Sequence, residues 1–489
     1  MNAPVTPVYI CQDGVQPSGV ATYGYALLRR FASARLLLLN AGAVPPAAPR
    51  EVAERIILLP EGSSHDPAAV AQTLREIVCE RAGPVAILPN TGDTPWTATT
   101  EFLRHTPADL RGRVRVLGFV HSDVDTQYAL AVRYRTIAPI WVGVSRRCAD
   151  ELRRRLGGEN EAVHELPYPI ARAPAAPRLI GGPLRLAYVG RLEEPQKRVS
   201  RLVMLFAELV RRNVDFLATV VGDGPAAEAF DRALAAAGPE VFARVRRTGA
   251  LGREGIDEVW RTHDVALLVS AFEGLPLALL EAMAAGVCPV VMAIESGLDE
   301  LVRDGIEGRV VPQGDVPAMV EVLGDLARQR AGLERLGMAA RRRVTEQFSP
   351  ETHFERLDAV FAQLRAQPAP DAAALAPDPT MEEIRRLVDE AAATGRAVAV
   401  FGSGMFGRKI IDACHARGLF ISAWFDSDPS REGTTYRGLS CENPKLVLSR
   451  VESVFIAASL QFAPAMVSRI EAEFSSAGLP RPVIVKSSP

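Results

Sequence analysis

The chain has 489 residues, roughly three times the ~150 residues of a typical domain, which favours two or three domains. Hydrophobic residues make up 48% of it, too many for a disordered chain, and 56 basic against 58 acidic side chains give a net charge of −2, which sets nucleic acid aside as a partner. The six cysteines are widely spaced with no C-x-x-C pair, which argues against a disulfide scaffold or thiolate zinc site and fits reduced thiols in a cytoplasm.

The first residues carry no basic segment followed by a long apolar run, so a signal peptide is not expected. Strands are predicted over 8–11, 34–39, 55–59, 85–89, 114–119 and 140–144, with helical spacing between them, as over 22–31 and 68–81. Such alternation predicts a parallel sheet covered on both faces. A Pro-, Gly- and Ala-rich stretch at 170–183 reads as an interdomain connection. A second series of strands follows over 184–189, 218–221, 244–248, 265–269, 289–292 and 308–311. The apolar run 275–294 contains Glu281, Gly286, Pro276 and Pro289, so it reads as helix, turn and strand rather than a membrane span. One long helix is predicted over 317–346 and another from 350 to about 366. Residues 367–380 form a linker by composition, and a third, smaller unit opens with helix 381–394 and strand 397–401. The expected class is α/β, with three Rossmann-like units: 1–172 completed by the returning helix 350–366, 173–349, and 381–489. Arginine runs at 153–155 and 341–343 read as solvated helix faces, and leave peripheral membrane contact open. The sequence leaves the oligomeric state open.

The chemistry concentrates in the middle unit. Glu273 and Glu281 stand eight residues apart after an apolar strand, so Glu273 belongs to the strand-to-helix loop and Glu281 to the helix. Both fall near the carboxyl edge of a parallel sheet, where Glu281 can accept from a ribose diol and Glu273 from another hydroxyl. Arg191 and Lys197 flank the turn after strand 184–189 and can hold a diphosphate, helped by close backbone approach at Gly190. Arg198 and Arg201 read as surface charge. Gly222 and Gly224 suit a tight turn after the next strand.

Taken together, Tyr188-Val-Gly-Arg-Leu192 with Lys197, Val221-Gly-Asp-Gly-Pro225, Thr248-Gly-Ala-Leu251, the Glu273/Glu281 pair and Ala285-Gly-Val-Cys-Pro-Val-Val291 resemble the retaining glycosyltransferases of family 4, with their two-domain GT-B fold. The resemblance implies that Arg191 and Lys197 bind the donor diphosphate, Glu281 the ribose and Glu273 the transferred sugar. It places Gly190, Gly222 and Leu251 around the donor, and Ser296 and Gly297 in a loop lending backbone N–H groups, although the usual Gly-Gly pair is missing there. In the N-terminal unit it implies that Gly19 belongs to a glycine loop facing the diphosphate, and that His121 contacts the donor sugar. The donor would be a nucleotide sugar, UDP- or GDP-linked in first choice, the acceptor a glycan, lipid or protein, and no cofactor would be needed. Asp123 and Asp125 form a D-x-D, a metal signature of another transferase fold, but two cations already serve the diphosphate.

In the last unit Gly402, Gly404 and Gly407 form G-x-G-x-x-G after a strand, and Asp426 ends the next strand. This block resembles small Rossmann modules appended to sugar-modifying enzymes, which implies an NAD-like or nucleotide-sugar ligand, with an assembly role as the alternative. Two rivals to the transferase reading are a non-catalytic nucleotide-sugar scaffold and a transferase fused to an NAD(P)-dependent oxidoreductase.

Overall fold

The computed structural model describes residues 5–11, 19–39, 41, 43–45, 48–59, 66–90, 92–157, 162–170, 181–294, 297–298, 300–371, 373, 379–402, 405–426, 432–443, 452–457, 463–477, 479 and 481–486. They divide into two compact units, 1–375 and 376–489.

The first unit holds two sheets. Strands β1 (Thr6–Cys11), β2 (Arg35–Leu38), β3 (Ile56–Leu58), β4 (Val85–Pro89), β5 (Val114–Val120), β6 (Ile140–Gly143) and β7 (Val163–Glu165) are ordered β3-β2-β1-β4-β5-β6-β7. Every pairing in it is parallel. Strands β8 (Leu184–Val189), β9 (Phe216–Val221), β10 (Val245–Gly249), β11 (Val265–Leu268), β12 (Cys288–Met292) and β13 (Arg309–Val311) are ordered β10-β9-β8-β11-β12-β13, again all parallel. Central strands such as β1 and β11 are buried throughout, because helices cover both faces; that is why they read as unbroken apolar runs. In each sheet the strand order reverses beside the first strand, at β1/β4 and β8/β11, and a crevice opens there beyond the carboxyl ends.

The chain crosses between the sheets near 170, where the Ile170 N–H donates to the Phe348 carbonyl (2.8 Å). Ser349 caps the next helix, Pro350–Ala366, which packs on the N-terminal sheet through Phe354 and Phe361 against Phe31 and through an ion pair of Asp358 with Arg30. The single helix expected over 317–346 is two, Val316–Arg328 and Arg330–Gln347, broken at Gln329 (φ −114°, ψ 68°). Arg330 donates to Asp264 (3.2 Å) and to the Gly182 carbonyl (2.7 Å), which ties the second helix to the amino-terminal rim of the sheet and accounts for the break. The run 275–294 resolves into helix Leu277–Ala284 and strand β12. No helix among the described residues is long and apolar enough to cross a membrane.

The second unit carries β14 (Val398–Phe401), β15 (Ile421–Phe425), β16 (Thr435–Tyr436), β17 (Leu439–Glu442), β18 (Val454–Ala457) and β19 (Ile484–Lys486), ordered β16-β17-β15-β14-β18-β19. All neighbours are parallel except β16 with β17.

Candidate functional site

The loop after β11 builds the most heavily bonded cluster. Glu273 is 4% exposed, and a carboxylate so buried requires partners. It has three: Lys197 Nζ lies 2.7 Å from Oε1, Ser270 Oγ donates to the same oxygen (2.6 Å), and Gln196 Nε2 donates to Oε2 (3.1 Å). The Gln196 carbonyl accepts the Ala271 N–H (2.7 Å), so the turn after β8 and the loop after β11 are zipped together. Glu194 fixes that turn from its other side by accepting the Ser200 N–H (2.8 Å) and hydroxyl (2.9 Å) at the start of helix Ser200–Arg211. Lys197 has three donors and commits one to Glu273, leaving the others for an anion in the cleft.

Arg201 corrects the surface-charge reading. Its Nη1 donates to the Val269 carbonyl (2.9 Å) and to Gln313 Oε1 (2.8 Å), while Gln313 Nε2 donates to the Ser270 carbonyl (2.9 Å). The pair braces the Glu273 loop from beneath. Ser270, Gln196 and Gln313 escaped the sequence reading because neutral polar residues in a turn carry no spacing signal.

The loops after β8, β9 and β10 stack through backbone bonds, Gly190 N–H to Val221 carbonyl (3.1 Å) and Gly222 N–H to Gly249 carbonyl (2.8 Å). Gly222 has φ 131°, and a Cβ there would overlap the Gly190 carbonyl, so both the conformation and the approach demand glycine. Arg191 projects from this stack, about half exposed, and pairs with Glu193 (2.7 Å). An exposed pair of this kind is weak, so the guanidinium is available to a stronger anion.

Glu281 lies about one turn into the helix Leu277–Ala284 that Pro276 introduces, and Arg253 Nη1 bonds its Oε1 at 2.6 Å. Burial pushes the Glu281 carboxyl above the usual range, while Arg253 pulls it back. Arg253 also contacts Asp257 (3.0 Å). Sequence reading missed Arg253, since it stands 28 residues before its partner.

His121 follows β5 and is buried between Phe119 and Tyr168, its ring nearly parallel to both (9° and 7°). Asn90 Nδ2 donates to the Ile10 and Leu88 carbonyls (both 2.9 Å), so Asn90 Oδ1 must accept from His121 Nε2 (2.6 Å). Nδ1 then accepts from the Tyr168 hydroxyl (2.6 Å), and burial lowers the imidazole pKa to about 3. Both ring nitrogens are thus occupied, which corrects the expectation of a ring offered to a sugar. Its backbone is what meets the middle domain: a Cβ on Gly274 would overlap the His121 carbonyl oxygen. Next to this lies a second buried pair, Tyr23 Oη to His353 Nε2 (3.1 Å), with His353 Nδ1 on the Pro167 carbonyl (2.7 Å).

These groups share one cavity of about 2570 Å³, lined by Gly19, His121, Gly190, Arg191, Lys197, Gly222, Leu251, Arg253, Glu273 and Glu281 among others. Gly19 opens the first helix, and a Cβ there would stand 2.9 Å from the Leu277 side chain. Gly297 is absent from the lining and lies between the Ser145 side chain and the Gly274 carbonyl, both of which a Cβ there would overlap. Ser296 lies outside the described residues. The D-x-D carboxylates are tied up elsewhere: Asp123 pairs with Arg147 and accepts from the Tyr128 hydroxyl (2.6 Å), and Asp125 pairs with Arg155. In the second unit Gly402, at the end of β14, has φ 121° and accepts from Trp424 Nε1 (2.9 Å). Gly407 sits in helix Met405–Ala416, Asp426 directly follows β15, and Gly404 lies outside the described residues.

The comparisons with known proteins match the middle sheet by sequence and the first unit by fold. Residues 183–329 match the family model of glycosyl transferases group 1. This group 1 segment spans the sheet that carries Arg191, Lys197, Glu273 and Glu281. The amylovoran biosynthesis glycosyltransferase AmsK of Erwinia amylovora is 30% identical over 188 residues, covering 37% of this chain and 45% of that protein. The alpha-D-kanosaminyltransferase of Streptomyces kanamyceticus is 29% identical over 231 residues, 45% of this chain and 58% of that protein. The chain thus spans about half the length of these curated relatives. Among solved structures, Anabaena Alr3699/HepE in complex with UDP-glucose superposes with TM-score 0.60 at 15% identity, over 74% of this chain and 100% of that one. Sucrose-phosphate synthase from Thermosynechococcus elongatus gives 0.59 at 17% identity, over 74% and 99%. The fold is GT-B-like, two Rossmann-type domains with parallel sheets, with a third, mixed sheet in the second unit.

Proposed function

We propose that the protein is a retaining glycosyltransferase that takes a sugar from a nucleotide-diphosphate donor, a UDP- or GDP-sugar, and passes it to a glycan, lipid or protein acceptor without a metal. The observation that carries this reading is the convergence of Arg191, Lys197, Glu273 and Glu281 on one cleft, with Lys197 Nζ 2.7 Å from Glu273. The Anabaena neighbour in complex with UDP-glucose supports a UDP-sugar in first place.

In this reading the diphosphate lies over the Gly190 and Gly222 turns. As the C1–O bond to the β-phosphate breaks, negative charge builds on the leaving group. Lys197 and Arg191 stabilise that charge in a partly dry site. Glu273 shares the Lys197 ammonium and orients the sugar hydroxyls, and Glu281 holds the ribose. Glu273 and Glu281 are each held by a cation, which favours front-face attack over a carboxylate nucleophile. The acceptor oxygen then bonds to C1 on the face the phosphate leaves, and its proton passes to the departing phosphate. His121 serves by position: its ring fixes the strand end whose carbonyl seats Gly274. For the second unit, we propose an NAD-like or nucleotide-sugar ligand at Gly402, Gly407 and Asp426.

Incubation of the full chain with a panel of UDP-, GDP- and ADP-sugars, with proton NMR of the released or transferred sugar, tests the main reading. The expected result is consumption of a UDP- or GDP-sugar and a product of unchanged anomeric configuration. An inverted product would overturn retention, and no turnover of any donor despite tight nucleotide binding would favour a scaffold.

A further inference from the structure

The group that faces Glu281 has no counterpart in the chemistry assigned to the cleft so far. Arg253 is the first residue of helix Arg253–Thr262 and lines the same cavity as Glu281. Its Nη1 bonds Glu281 Oε1 (2.6 Å) while its Nε bonds Asp257 (3.0 Å), so the planar guanidinium is held by two carboxylates at once. The Glu281 side chain is 12% exposed and that of Arg253 47%, which puts the carboxylate inside and its cation at the mouth.

We propose that Arg253 is a positioning residue for the donor ribose: it holds Glu281 ionised and aligned so that both hydroxyls of a ribose diol can donate to it. This rests on the reading of Glu281 as the ribose site. An ionised carboxylate accepts two hydroxyl hydrogens, whereas its acid form must donate at one oxygen and so mismatches a diol. A carboxylate this deep is driven towards the acid form by desolvation, and the opposing influence is Arg253, with a smaller one from the Trp260 indole. The other charges around it do not replace Arg253. Asp257 on the same helix works against ionisation, and Glu254, Glu258 and Arg261 line the cleft from that helix. From helix Arg330–Gln347, Arg341 spends Nη1 on the Ala284 carbonyl (3.0 Å). Strand β11 brings no titratable side chain, and β12 contributes only the buried Cys288 thiol. Asp257 has its own task, since by gripping Nε it stops the guanidinium from swinging out to solvent.

The test is calorimetric titration of the full chain with UDP and with 3′-deoxy-UDP between pH 6 and 9, for wild type, R253Q and R253K. The wild type should prefer UDP over its deoxy analogue at every pH. R253Q should lose about tenfold in UDP affinity at pH 6, a step of one tenfold in Kd, and recover towards pH 9 as Glu281 ionises. The deoxy analogue should be nearly indifferent to the change, and R253K should restore most of the affinity. A UDP affinity in R253Q that matches wild type across the pH range would overturn the inference, and so would tighter binding, which would make Arg253 a competitor of the diol. Equal wild-type affinity for UDP and the deoxy analogue would instead refute Glu281 as the ribose site. Unfolding temperatures of both variants separate these results from a folding defect.

Discussion

The two sheets of the first unit share a topology and use it in opposite ways. In the middle sheet the strand ends carry charge: Lys197, Glu273 and the Glu281–Arg253 pair stand around the reversal between β8 and β11. In the N-terminal sheet the corresponding edge carries a packed aromatic and imidazole cluster, with Asn90, His121 and Tyr168 bonded in series. One edge turns charged groups into the cavity; the other bonds its polar atoms to one another and leaves a backbone carbonyl at the seam. The same topology thus carries a charged edge in one half and a self-bonded edge in the other.

Substitutions on each side sharpen that contrast. The largest effect belongs to Lys197→Ala, which removes the cation proposed to face the leaving group and should lower kcat about 10²-fold or more, with a fall in unfolding temperature as well because the buried Glu273 loses its ion-pair partner. Steady-state rates with the active donor check it. Gly274→Ala attacks the seam, because its new Cβ must push off the His121 carbonyl. Displacing the Glu273 loop should lower kcat by about tenfold or more without abolishing nucleotide binding, measured by parallel rate and titration experiments. Glu281→Gln should weaken UDP binding by about tenfold, since one amide oxygen replaces a charged acceptor pair.

Smaller effects come from the packed wall. The imidazole pKa values of His121 and His353 are lowered by burial to about 3 and about 4, below the unfolded value near 6.5. Their contribution to stability is therefore complete above about pH 6.5 and is lost as pH falls from there towards about 4 for His353 and about 3 for His121, because the unfolded chain binds the protons first. The unfolding free energy from urea titrations should fall from pH 7 to pH 5, by up to ~1.4 kcal/mol per pH unit for each fully responding histidine. The slope should shrink in His121→Gln. The smallest expected change is none: Asp123→Asn should leave turnover and its response to EDTA as in wild type, because Arg147 and Tyr128 already occupy that carboxylate.

How much of this was legible in the sequence differs between the same two regions. Both parallel sheets could be read, because strands covered on both faces are apolar runs. The middle-sheet residues also stood out, since Arg191, Lys197, Glu273 and Glu281 sit at fixed distances from the strand that positions each. What sequence could not reveal was pairing at long range. Arg253 reaches Glu281 from another helix, and Arg201 reaches Val269 and Gln313 from below the loop. His121 looked like a ligand because a histidine after a strand points at a crevice. Its partners Asn90 and Tyr168 lie 31 and 47 residues away, and only folding brings them to both nitrogens. The helix break at Gln329 likewise depends on Arg330 meeting Asp264.

The most direct measurement is titration of UDP into the full chain alongside Lys197→Ala and Glu281→Gln, with unfolding temperatures recorded for all three. Clear binding by the wild type, weakened in each variant at a temperature where each is still folded, is the predicted outcome. Affinity that survives both substitutions intact would mean that the nucleotide is held elsewhere, and the charged edge of the middle sheet would lose its assigned part in the chemistry.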